Sequence, residues 1–101
     1  MRILFDELAR DEYQDAIEFY ELETQGLGLR FKEEVKRDLR NLKKIPNIGS
    51  IEKADIRRYI LHKFPYKILY SNEEKYLYVI AIAHMHRDPN YWLSRIKQNE
   101  T

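Results

Sequence analysis

The sequence predicts an α+β fold: an N-terminal strand and an antiparallel helix hairpin packed on an antiparallel four-stranded sheet, with a short C-terminal helix. Three observations carry this. In the first half of the chain, apolar residues recur at spacings of three and four, the period of a helix face. In the second half they alternate with polar residues or run on continuously, and β-branched and aromatic types dominate, as in strands. Between the two helical stretches lies a break rich in glycine, Gly26-Leu27-Gly28.

Taken in order, Ile3, Leu4 and Phe5 form a short strand ended by Asp6-Glu7. From about Glu7 to Thr24, Ala9, Tyr13, Ala16, Ile17 and Tyr20 make one apolar helical stripe. Glycine tolerates the turn conformations that end one helix and begin the next, so Gly26-Leu27-Gly28 is a turn. In the second helix Leu27, Phe31, Val35, Leu39, Leu42 and Ile45 share a face, and Pro46, which cannot extend the hydrogen-bond ladder, stops it. Two helices joined by so short a turn form a hairpin, whose apolar face needs a cover.

The remaining residues supply it. Asn47-Ile48-Gly49-Ser50 reads as a loop. Asp55–Leu61, Phe64–Ser71 and Tyr76–His84 read as three strands, the last apolar on both faces and therefore interior. Pro65 belongs at a strand start or edge. Asp88 and Pro89 suit the cap and first position of a helix running to about Lys97. The 101 residues thus make one domain, residues 1–101.

Composition removes several classes of function. With no cysteine there is no disulfide scaffold, thiolate zinc site or cysteine nucleophile. No apolar run approaches the roughly 20 residues that span a bilayer, and the acidic opening does not resemble a secretory signal. A cytoplasmic protein without membrane contact is expected. The formal charge of +1 gives no general basic field for nucleic acid. The charge is unevenly spread, however: residues 1–25 hold eight acids against two bases, and residues 30–44 seven bases against three acids. Two neighbouring helices with complementary solvated faces explain this.

One constellation could carry chemistry. The interior strand ends in His84, His86 and Arg87, where polar groups follow apolar ones on a rigid scaffold. Tyr91 lies four residues beyond Arg87. Arg57 and Arg58 on the first meander strand, and Lys67 on the next, could gather at the same rim, although a strand arginine also commonly faces water or pairs with an acid. His84 and His86 would share a strand face, but no carboxylate completes a metal site, so neither metal nor cofactor is expected. Trp92 is better read as core. Gly26-Leu27-Gly28 lacks the Lys-Ser/Thr ending of a phosphate loop.

Several segments together resemble the RelE/ParE superfamily of toxins from bacterial type II toxin–antitoxin systems. They are Asp15-Ala16-Ile17-Glu18-Phe19-Tyr20, Gly26-Leu27-Gly28-Leu29-Arg30-Phe31, Ile56-Arg57-Arg58, Phe64-Pro65-Tyr66-Lys67-Ile68-Leu69-Tyr70 and Ala81–Trp92. The pattern His84-x-x-Arg87-x-Pro89-x-x-Trp92 is most similar to the ParE-like, plasmid-stabilisation branch. The resemblance implies a small toxin neutralised by a cognate antitoxin, in a homodimer or a toxin–antitoxin hetero-oligomer. It does not fix the target. Several ParE-like members inhibit DNA gyrase. RelE-like members are metal-independent endoribonucleases that cut mRNA on the ribosome; in that case His84 or Tyr91 would exchange the proton and Arg57, Arg58 or Arg87 would hold the phosphate. The near-neutral charge and acidic first helix favour the gyrase reading. An inert interaction module of the same fold is a third alternative.

Overall fold

The computed structural model describes residues 1–98. Its elements are β1 (Arg2–Phe5), α1 (Glu7–Glu23), α2 (Leu27–Lys44), β2 (Ser50–Lys53), β3 (Ile56–Ile60), β4 (Tyr66–Asn72), β5 (Tyr76–His84) and α3 (Leu93–Gln98). The sheet has the order β1-β5-β4-β3-β2. The hairpin covers one face, and α3 covers part of the other.

The helix hairpin forms for local reasons. The Asp6 carboxylate accepts the Leu8 N–H at 3.0 Å and caps α1. Gly26 takes a left-handed φ of +87°, a conformation that suits glycine. A Cβ on Gly28 would collide with the Ile17 carbonyl oxygen, so this glycine lets the two helices touch. Glu21 closes the turn from α1: its carboxylate accepts the Gly26 and Gly28 N–H groups at 2.9 and 3.0 Å, satisfying donors at the start of α2. Phe31 and Val35 are fully buried. Phe31 meets Phe64 and Tyr66 edge-on, with ring centroids 5.1 Å apart in both pairs, which joins the hairpin to the sheet.

The predicted class holds, and three details differ. The sheet has five strands, because Ser50–Lys53 pairs with β3 as an exposed edge. Its residues are polar or exposed and show no core periodicity, so the stretch after Pro46 looks like loop. The sheet is also mixed: β1 runs parallel to β5, Phe5 beside Val79, since the two-helix crossover returns the chain before the meander begins. Third, α3 starts at Leu93 and not Pro89. The Asp88 carboxylate turns the chain by accepting the Asn90 N–H at 2.9 Å, and turns occupy Pro89–Trp92.

β5 is interior as expected, and a bulge shapes it. Leu69 opposes Ala81 while Tyr70 opposes Val79, leaving Ile80 unpaired with β4. Ile80 and Ala81 therefore both pack in the cluster around Trp92, whereas Val79 and Ile82 face the helix hairpin.

Candidate functional site

β1 accompanies β5 only as far as Val79. Beyond that point no strand among the described residues lies beside this flank of β5, and two side chains from distant parts of the sequence take its place. Glu12, from α1, accepts the Ile82 N–H at 3.0 Å. Arg95, from α3, donates to the Ile80 carbonyl at 2.8 Å. The two also pair with each other in a fork: Arg95 Nη1 to Glu12 Oε1 at 3.0 Å and Nη2 to Oε2 at 2.9 Å. The clamp thus satisfies backbone groups that a longer β1 would have covered. Burial disfavours the charge on Arg95, but the Glu12 carboxylate outweighs it and raises the guanidinium's pKa.

On this clamp rest two of the residues singled out from the sequence. The Arg87 guanidinium stacks over the Tyr91 ring at 3.8 Å and approaches Glu12 Oε2 at 3.5 Å, with its side chain 52% exposed. The Tyr91 ring also meets Arg95 at 5.1 Å. Its hydroxyl is buried and finds no well-formed hydrogen bond among the described residues. Burial first, and the adjacent Glu12 carboxylate second, raise its pKa. The phenol is held as the neutral acid.

The other candidates lie apart from this pair. His84 closes β5 with its ring edge-on to Tyr66 at 5.1 Å. Its Nδ1 accepts the His86 N–H at 3.1 Å, so in the neutral ring the proton sits on Nε2. Arg57 donates to the carbonyls of Asn47 and Gly49 at 3.1 and 2.7 Å and holds the loop before β2. Arg58 faces the opposite side of the sheet, 3.2 Å from Glu52 Oε1, while Lys67 reaches Glu52 Oε2 at 2.9 Å. Burial alone would raise the Glu52 carboxyl; its hydrogen bonds and charge interactions with Lys67 and Arg58 outweigh that and lower it. Lys53 extends this polar strip toward the rim with a 3.1 Å bond to Asn90. Among the described residues no group of three or more His, Asp or Glu could hold a metal.

Sequence reasoning passed over Glu12, Glu52 and Arg95. A signal for two of them was present. Glu12 sits between Ala9 and Ala16 on the apolar stripe of α1, and Arg95 follows Trp92 by three residues on the buried side of α3. A charge at a core-facing position requires a partner.

The sequence matches, over residues 3–89, the family described as the ParE toxin of the type II toxin–antitoxin system, parDE. The chain belongs to the ParE toxin family. No curated protein matches its sequence significantly. The chromosomal ParDE toxin–antitoxin system of P. aeruginosa contains a chain of the same fold, with a TM-score of 0.71 at 15% identity, covering 85% of this ParE-family chain and 97% of that one. The isolated RelE toxin of E. coli matches with a TM-score of 0.65 at 20% identity, covering 96% of each chain. At these identities the likeness to both structures concerns the fold.

Proposed function

We propose that this ParE-family toxin acts without cutting RNA, by binding DNA gyrase through the rim that carries Arg87 and Tyr91, and that a cognate antitoxin neutralises it in the cytoplasm. The observation that carries this reading is that the cations singled out as site candidates are engaged within the molecule. Arg95 and Arg87 share Glu12, Arg58 and Lys67 share Glu52, and Arg57 is spent on loop carbonyls. A ribonuclease must instead direct free cations at the phosphate it attacks and present a group ready to exchange a proton. Here the Tyr91 phenol is buried and its pKa is raised. A protein–protein surface has no such requirement, and an exposed arginine stacked on a tyrosine is the kind of anchor such surfaces favour.

Two assays with the purified full chain decide the matter. Inhibition of gyrase supercoiling, with mRNA left intact in a translating extract, is the expected result. Cut mRNA with unaffected supercoiling would establish the RelE-like reading. Expression without any antitoxin tests the inert-module alternative, for which cells would grow normally.

A further inference from the structure

The outer side of the helix hairpin, turned away from the sheet, carries opposite charge on its two halves. On α1 six acids and one base are exposed, a balance of −5; on α2 six bases and one acid are exposed, a balance of +5. Opposite charges on neighbouring helices attract, yet among the described residues no ion pair joins α1 to α2. Asp11, Asp15 and Glu18 on the first helix, and Lys36, Arg40 and Lys43 on the second, take part in no ion pair among the described residues. The turn end of the hairpin is apolar as well. Leu22 is 89% exposed, Leu29 across the turn 57%, and Phe19, one turn back on α1, 55%. One exposed leucine needs no explanation, but three large apolar side chains about a single turn mark a contact surface.

We infer that this surface binds a second copy of the chain, hairpin against hairpin, about a two-fold axis running along the helices. That symmetry lays α1 of each copy over α2 of the other and brings the two turns together. The acids of one copy then meet the bases of the other twice, once on each side of the axis, and Leu22 and Leu29 gather with their counterparts at the common end. A two-fold axis running across the helices would instead set α1 on α1 and α2 on α2, like charge on like, so the charges select the first arrangement. Helices of 17 and 18 residues make a face about 26 Å long and about 20 Å wide. With side-chain relief counted, this is the scale of stable interfaces, roughly 800 Å² per partner. The contact uses neither Arg87 nor Tyr91, so this reading and that of the target surface stand or fall separately.

Sedimentation equilibrium of the purified full chain tests the inference. The wild type should be a dimer in the micromolar range. Its dissociation constant should rise about tenfold or more between about 0.1 and 1 M salt, where the screening length falls from about 10 to 3 Å. The decisive step exchanges charges. One variant carries Asp11→Lys, Asp15→Lys and Glu18→Lys; the other carries Lys36→Glu, Arg40→Glu and Lys43→Glu. All six positions are exposed, so circular dichroism should be unchanged in both. Each variant alone sets like charges across the axis and should be monomeric. Mixed, they should form a one-to-one dimer: α2 of the first and α1 of the second keep their original charges and meet, and the reversed halves also oppose each other in sign. Leu22→Ser should weaken the wild-type dimer. A monomeric wild type, a dimer indifferent to salt or to Leu22→Ser, or variants that stay monomeric when mixed would each overturn the inference.

Discussion

Glu12→Ala is the most informative perturbation of this molecule. It removes one half of a forked ion pair in which the Glu12 side chain is 14% exposed and the Arg95 side chain 7%. Breaking a buried pair from one side strands the other charge and typically costs about 3–5 kcal/mol. The Ile82 N–H loses its acceptor in the same step. Arg95 keeps the Ile80 carbonyl and the Tyr91 ring, which places the expected loss near the lower end, at about 3 kcal/mol. For a domain of this size each kcal/mol moves the melting temperature by about 4–8 °C, so a fall of roughly 15 °C is expected. Thermal and urea unfolding measure it. The decisive comparison adds Arg95→Met, alone and combined with Glu12→Ala. If the two charges compensate each other, the double variant loses less than the sum of the singles, by about 1–3 kcal/mol. Additive losses, or a Glu12→Ala change within the roughly 0.5 kcal/mol of ordinary surface substitutions, would refute the clamp as a structural unit.

Three further outcomes are expected. Arg87→Ala should change stability by no more than about 1 kcal/mol, the worth of an exposed cation–π contact, yet weaken growth inhibition; full toxicity from the folded variant would remove Arg87 from the target surface. Phe31→Ala empties the fully buried ring site between Tyr20, Phe64 and Tyr66 and should cost about 3–5 kcal/mol in urea unfolding; an unchanged midpoint would mean that the hairpin and sheet are not joined there. Asp38 concerns pH. Its carboxyl is buried on α2, and burial first, then the charge of Glu34, raise its pKa, with Arg37 and His62 opposing. The folded state therefore binds this proton more tightly than the unfolded chain. The stability gained is complete below the unfolded carboxyl's titration and is lost as pH rises through the folded one. Asp38→Asn should flatten that decline in the urea midpoint across mildly acidic pH, and an unaltered slope would contradict it.

The helix hairpin was legible because its determinants are local. Gly26 turns the chain and Pro46 follows the last helical turn, each acting on neighbours a few residues away. β5 was legible for a related reason: a strand covered on both faces must be apolar throughout, and Tyr76–His84 nearly is. β2 was not, since an exposed edge strand has no burial pattern to display. The rim was half legible. Arg87 and Tyr91, four residues apart, meet as their spacing suggests. Arg57 and Arg58 were grouped with them, but alternation along a strand sends these two neighbours to opposite faces of the sheet, where Asn47, Gly49 and Glu52 hold them.

The order of the helices and of every strand but β2, and the end of β5 at which polar groups appear, were determined by the sequence alone, because periodicity and turn chemistry act over a few residues. Only the tertiary structure decided the parallel direction of β1, the bulge at Ile80 and the partners of each charge. Glu12 and Arg95 lie 83 residues apart, and nothing in either one's neighbourhood names the other. They meet because β1 ends at Phe5 and leaves the flank of β5 uncovered. Which cations remain free for a target follows from such long-range pairings, and these exist only once the layers have packed.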